Sequence, residues 1–564
     1  MRTTTVHETF LLLPPMEALN LFITQGILPA TIVAFLCYSV LTRFINHRRL
    51  FSYWEKRGVR GPRPLFLLDK IVGFLPIDQT KKHVEYVQKY GKVYGTYEYN
   101  EPRLVIADPE IMRQICIKDF EVFQDHNSRE DNEYQRSFLF FLKGDHWKRV
   151  RAMMTPTFTS GKIKRMFRLL DGCANDLVEH FEEQIKGSHK SAIVNAKDMY
   201  CSYTLATIAT CCYGLKLNTT VSSEKTASVK NDLVQLLMNM FKVDHKRLFI
   251  SRNFPLAMTV MNFFFPPEDG LGTLSKMMKQ LIKNRRDAAK KFDDYLQLLV
   301  DARLHDEIEL NETDIAENHH ASLTQESLVA DQRKLVEEVE TRLPSSKVEL
   351  SELEILSGAM LLLIVALETT GSLLTHCTYL LAFHPEIQQK LYNELLEIAE
   401  FDNSGDKSKF DYDSLTSCQY LDCVISETLR MVTSVLQVDR ISNRDYRIEK
   451  YDIDLPKGSV VFLSLHGLMN DPDWWDEPTK FKPDRFMPGN REKIVPGSYC
   501  PFGIGPRHCI GMRFSLTEAK LALAKLIVRF RFEPAPNTSF PPELVTEYNM
   551  NSLKTPRVKV ALRV

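Results

Sequence analysis

A lone cysteine sits in a glycine-punctuated stretch, Phe502-Gly503-Ile504-Gly505-Pro506-Arg507-His508-Cys509-Ile510-Gly511, directly before the helix-like run from Arg513 to Lys520. Glycines let backbone N–H groups approach a sulfur, and a helix N-terminus stabilises negative charge, so one thiolate here can hold a metal. The plainer reading is an inert buried thiol, which is what most unpaired cysteines are. Five fixed positions within ten residues, Phe502, Gly505, Arg507, Cys509 and Gly511, favour ligation.

Three further groups carry polar chemistry in apolar surroundings. Glu427 and Arg430 stand three apart in Val424-Ile425-Ser426-Glu427-Thr428-Leu429-Arg430-Met431-Val432. That spacing puts them on one helix face, and burial would require good pairing geometry. Trp147 and Arg151, four apart, can present an indole N–H and a guanidinium to one anion, although a solvated basic face is the simpler alternative. Leu361-Leu362-Leu363-Ile364-Val365-Ala366-Leu367-Glu368-Thr369-Thr370 sets an acid and two hydroxyls in a long apolar helix, where they should face a cavity or kink the backbone.

The Phe-x-x-Gly-x-Arg-x-Cys-x-Gly loop resembles the haem-binding signature of the cytochrome P450 family, the haem-thiolate monooxygenases. The likeness runs from about residue 50 to 560 and is nearest to the membrane-bound microsomal branch that oxidises steroids and foreign compounds. It implies a cytochrome P450 fold, mainly α with small β-sheets, and haem b (iron protoporphyrin IX) as cofactor. By the same resemblance Cys509 is the axial ligand of the iron, and Phe502, Gly503, Gly505, Arg507 and Gly511 belong to the cofactor-binding loop. Trp147 and Arg151, followed by Met154-Thr155-Pro156-Thr157-Phe158, resemble the segment that binds the haem propionates, with Arg507 assisting. Thr369 would donate to the distal oxygen and Glu368 would feed protons. Arg485, in the family's Pro-x-Arg-Phe segment, would join Glu427 and Arg430 as a buried structural trio. The exposed cations Lys148 and Arg149 are candidates for docking an acidic electron donor.

Several positions depart from the family pattern. Val365 and Ala366 replace the usual Ala and Gly, which narrows the oxygen groove. Thr433 stands where proline is usual, and Gln437 where a haem-contacting basic residue often occurs; losing that cation weakens propionate pairing unless Arg440 compensates.

The implied reaction inserts one oxygen atom from O2 into a lipophilic small molecule, using electrons from NADPH. The implied partners are an NADPH-dependent flavoprotein reductase, with cytochrome b5 as an additional donor, and a membrane. Two other readings stay open: a haem-thiolate hydroperoxide isomerase or lyase needing no reductase, and a non-catalytic haem sensor.

The elements that must position these residues can be read coarsely. In 564 residues, 72 lysines plus arginines balance 72 aspartates plus glutamates, which gives no bias toward nucleic acid. A mean hydropathy of -0.22 excludes a polytopic membrane protein. Eleven scattered cysteines, without finger or framework spacing, suit a reducing compartment. No charge occurs from Ala18 to Thr42, and residues 21–41 are long enough to cross about 30 Å of hydrocarbon. Arg43, Arg48 and Arg49 follow at once, so the positive-inside rule makes 1–50 a single-pass N-terminal membrane anchor with flanks. The expected location is the endoplasmic reticulum membrane, with the 51–564 haem-thiolate catalytic domain facing the cytosol. Strand-like runs at 93–97 and 103–106 precede long segments of helical periodicity. Residues 302–347 read as an exposed polar insertion, 401–414 as a loop, and the apolar 254–267 as a lid touching lipid.

Overall fold

The computed structural model describes residues 50–63, 79–98, 101–127, 132–186, 191–215, 270–288, 294–302, 349–402, 408–547 and 549–563, with isolated positions at 38, 45, 236, 237 and 292. The lid, all of the expected anchor span except residue 38, and nearly all of the polar insertion lie outside them.

Helices dominate: α1 Gly144–Met154, α2 Ser160–Lys186, α3 Ala196–Tyr213, α4 Gly270–Asp287, α5 Glu352–Phe383, α6 Pro385–Ile398, α7 Gln419–Met431 and α8 Met512–Arg529. The strands that matter are β1 Val93–Glu98, β2 Glu101–Ile106, β3 Ser191–Asn195, β4 Gln437–Ile441, β5 Val460–Ser464, β6 Phe530–Pro534, β7 Leu544–Glu547, β8 Met550–Leu553 and β9 Arg557–Leu562. They make a four-stranded sheet in the order β1-β2-β5-β4, a three-stranded sheet β6-β9-β3, and the hairpin β7-β8. The expected strand pair is present as β1 and β2, antiparallel with Val93 opposite Ile106. The end of the expected 401–414 loop instead enters a short helix, Tyr412–Thr416, which Asp411 caps by accepting from the Asp413 and Ser414 amides.

α5 is the central element. Ser351 and Glu354 close a capping box at its start, each side chain bonding the other's backbone N–H. It is long and apolar enough to cross a membrane, yet 67% of that apolar window is buried inside the protein, as befits a core helix. α3 packs closely along it: a Cβ on Gly371 would lie 2.9 Å from Cys201 Sγ and would force the two helices or that side chain to shift. α8 also crosses α5, and Thr370 Oγ1 meets Ser515 Oγ at 2.9 Å. Buried apolar side chains from Trp54 to Val560 form one continuous cluster around these helices.

Candidate active site

The cysteine loop is a chain of tight turns. Gly503 N–H donates to Cys500 O at 3.0 Å, His508 N–H to Gly505 O at 2.9 Å, and Cys509 N–H to Phe502 O at 2.9 Å. Gly503 and Gly505 take φ of 75° and 74°, a region L side chains rarely adopt. At Gly505 the space is closed as well, since a Cβ would sit 2.0 Å from the Cys116 carbonyl oxygen. Phe502 packs against the core, and Gly511 is the N-cap of α8, with open space where a Cβ would point. Nine of the ten described cysteines are buried; Cys509 is the exposed one. Desolvation pushes its thiol pKa up, while the Gly511 amide and the Arg151 guanidinium pull it down.

Trp147 and Arg151 lie buried on α1, so the solvated-face alternative is excluded. Arg151 Nη2 has no hydrogen-bond partner among the described residues. Desolvation lowers the Arg151 pKa to about 10. Arg507 stacks its guanidinium 4.0 Å over the Trp147 ring and donates to backbone carbonyls of Gln124 (3.0 Å) and Leu142 (2.8 Å) and to Asp125 (3.3 Å). Its pKa falls to about 8, by desolvation first and then by repulsion from Arg440. Arg440, also buried, has Nη1 3.3 Å from both ring nitrogens of His126, and its Nε lacks a partner among the described residues. His126 in turn lies 3.3 Å from Asp439 and stacks 4.0 Å on Phe140. Three buried guanidinium groups therefore crowd together, with Asp125 and Asp439 opposing them among the described residues. Lys148 and Arg149 are not the exposed cations expected from the sequence: Lys148 is buried beside Glu121, and Arg149 reaches the buried Glu354. Glu354, bonded also by His146 at 2.5 Å and by the Ser351 amide, is held at a pKa of about 2.

On α5 the polar patch divides. Val365 is 45% exposed although Leu363 and Leu367 are buried, and Leu361, Leu362, Ala366 and Thr369 on the same side are half-buried. Thr369 Oγ1 donates back to Val365 O at 3.0 Å. Glu368, one residue and about 100° round the helix, is buried away from this open face, because successive helical residues diverge. It pairs with Lys197 Nζ at 2.5 Å and accepts from Ser552 at 3.2 Å and Ser372 at 3.4 Å. Thr370, also buried, faces Ser515 instead of the open side.

Glu427 and Arg430, both wholly buried on α7, form two bonds of 2.7 and 3.0 Å, and Arg485 Nε lies 3.2 Å from Glu427. Arg430 also donates to Met469 O (2.9 Å) and Pro478 O (2.8 Å), so the pair is satisfied on every side. Lys197, Ser552, His126 and Asp439 carried no local sequence signal; each meets its partner across a long stretch of chain.

The cytochrome P450 family model matches residues 59–562. The chain is 30% identical to cytochrome P450 3A29 of Sus scrofa over 514 residues, 91% of this chain and 92% of that protein. It is 30% identical to cytochrome P450 3A5 of Homo sapiens over 536 residues, 94% and 95% of the two chains. It is 29% identical to cytochrome P450 6B2 of Helicoverpa armigera over 505 residues, 88% and 92%. Likeness across that span, with helices and small sheets arranged around an accessible cysteine, makes this chain a member of the cytochrome P450 family, monooxygenases that bind haem b through a cysteine thiolate.

Proposed function

We propose that the chain inserts one atom of dioxygen into a lipophilic substrate, with two electrons from NADPH delivered by a flavoprotein reductase. Substrate, O2, NADPH and one proton become hydroxylated product, water and NADP+. One observation carries this reading: the accessible thiol, alone exposed among the described cysteines, stands just ahead of α8, the helix that packs on α5 where Thr370 meets Ser515, one residue from Thr369 on the open face.

The residues present suit the haem. It would bring two propionates to a region where Arg151 Nη2 and Arg440 Nε are buried without a hydrogen-bond partner among the described residues, and a buried donor left unsatisfied is costly. Cys509 would hold the iron, within the turn made by Phe502, Gly503, Gly505 and Gly511. Trp147, Arg151 and Arg440 would hold the propionates, the last supplying the charge that Gln437 lacks. Arg507, whose donors are engaged by protein, fixes Trp147 and the loop. A thiolate-held haem supplies electron density that favours O–O cleavage. This chain's own contribution is to keep the Thr369 hydroxyl on the open face of α5, with Glu368 one residue away to resupply its proton. Glu427, Arg430 and Arg485 hold the scaffold and touch no substrate.

The open face of α5, with Leu361, Leu362, Val365 and Ala366, is apolar, which supports a lipophilic substrate of the steroid, fatty-acid or foreign-compound class. The charge-free 21–41 segment with basic residues after it supports a single-pass anchor in the endoplasmic reticulum, a cytosolic catalytic body of residues 51–564, and redox partners on that side: the reductase, with cytochrome b5 as a second donor.

The exposed Val365 side chain, where a smaller residue is usual, favours one rival, a reductase-independent rearrangement of a hydroperoxide. Isotopic dioxygen separates the two. Label in the product, formed only with NADPH and reductase, supports the proposal; unlabelled rearranged product without them overturns it.

A further inference from the structure

Glu368 Oε1 gathers partners from three separate parts of the chain. Lys197 Nζ comes from α3 at 2.5 Å, Ser372 Oγ from the next turn of α5 at 3.4 Å, and Ser552 Oγ from β8 at 3.2 Å. Ser552 also accepts from Lys197 Nζ at 2.9 Å, so its single hydroxyl takes one hydrogen bond and gives another. Lys197 and Ser372 sit on two helices locked together where Gly371 meets Cys201. Ser552 alone belongs to a hairpin.

That hairpin is tied elsewhere to the segment carrying two of the chain's departures from the family pattern. Asn551 N–H donates to Ser434 O at 2.8 Å, and its Nδ2 to Thr433 O at 2.7 Å. Asn549 Nδ2 donates to Gln437 O at 2.5 Å and its Oδ1 accepts from Gln437 N–H at 3.1 Å. Met550 forms a bridge with Val435 and shares the Ser552 face of β8, since side chains alternate along a strand. The acid of α5 and the strand beyond α7 are thus joined through two adjacent residues of one hairpin, Asn551 and Ser552.

We propose that Ser552 is a positioning residue for Glu368: through this hydroxyl the β7-β8 hairpin holds Oε1 and sets how well the acid resupplies the proton of Thr369. A carboxylate held by Lys197 and by a long bond from Ser372 of its own helix can turn toward the ammonium, whereas a donor from the separate hairpin fixes its rotamer. The proposal rests on the monooxygenase reading of Glu368 and Thr369.

The test compares unaltered holoenzyme with S552A and S552T in NADPH- and reductase-driven turnover, with testosterone and lauric acid as probe substrates. Product per NADPH, released peroxide, the solvent isotope effect and the pH profile are measured, together with hydrogen exchange of amides 367–372 in the resting protein. S552A should lower product per NADPH roughly three- to tenfold, with matching peroxide release, a larger solvent isotope effect, a displaced pH profile and faster exchange at 367–372. S552T, which keeps the hydroxyl, should return to within about twofold. Unchanged coupling, isotope effect and pH profile in S552A overturn the proposal, and so does an equal loss in S552T, which would assign the effect to hairpin packing. If the unaltered protein oxidises neither probe, the monooxygenase reading fails first. The exchange comparison then decides by itself, identical rates in S552A and unaltered protein being the negative result.

Discussion

Lys197 Nζ lies 2.5 Å from Glu368 Oε1, and this pair pins the start of α3 to the acid of α5. Glu368 is buried, whereas Lys197 keeps part of its side chain in solvent. Removing the lysine leaves the carboxylate with hydroxyl partners only. K197M should therefore cost about 1–3 kcal/mol of stability in urea unfolding, and the double variant K197M/E368Q should recover most of it by removing the stranded charge. A K197M midpoint equal to that of the unaltered protein would show the pair to be energetically neutral.

Acid should destabilise the fold well before its carboxylates titrate. Burial holds His83 at a pKa of about 4, and His376 and His466 at about 3, against an ordinary value of 6.5. Each is neutral when folded and takes up a proton on unfolding, so the unfolded chain binds more protons and stability rises with pH. They cost nothing above pH 6.5, where both states are neutral, and destabilise the fold progressively as pH falls through the window from there to about 3 to 4. Each group removes about 1.4 kcal/mol per pH unit once inside it. Glu354 and Asp439, both held at about 2, add a second loss as the pH drops from the ordinary carboxylate range toward 2. Unfolding followed by circular dichroism from neutrality downward should show a steep loss of stability across that histidine window; a flat profile there contradicts the assignment.

At Gly505 the backbone and the space make the same demand. G505A must place a methyl 2.0 Å from the Cys116 carbonyl and accept a φ of 74°. The backbone alone costs about 1–2 kcal/mol, and the cysteine loop has to move. Purified G505A should carry markedly less haem per chain than unaltered protein. G161A, outside the cysteine loop and with open space where a Cβ would point, provides the comparison. Equal haem content in G505A and unaltered protein would mean that the loop yields freely.

The Glu427–Arg430 pair, with 0% of either side chain exposed, leaves nowhere for a stranded charge to go. E427A should destabilise the protein by about 3–5 kcal/mol. R485A should cost less, since Arg485 meets Glu427 from a half-buried position and Arg430 stays paired. Comparable thermal midpoints for E427A and R485A would contradict this ranking.

What could be read from the chain beforehand was local. The cysteine loop, the Glu427–Arg430 spacing and the Trp147–Arg151 face each announce themselves within ten residues, and the apolar run around Glu368 marks a core helix. What could not be read depends on elements meeting across the fold. Lys197 is 171 residues from Glu368 and Ser552 is 184 away, and neither stands in an unusual neighbourhood. The same limit explains Lys148 and Arg149, which look like a solvated pair in sequence but turn inward because Glu121 and Glu354 wait there. It also explains why Glu368 and Thr369, adjacent in sequence, occupy different environments: one helical step separates the packed side of α5 from its open side.

The central claim, a porphyrin iron held by the Cys509 sulfur, is tested most directly by the absorption spectrum of the reduced, carbon-monoxide-saturated protein. Unaltered protein should show the strongly red-shifted Soret band of a thiolate-bound ferrous complex, and C509A should lose it while keeping a folded circular dichroism spectrum. A Soret band of the ordinary histidine-ligated kind in unaltered protein, or a red-shifted band that survives in C509A, would contradict the account.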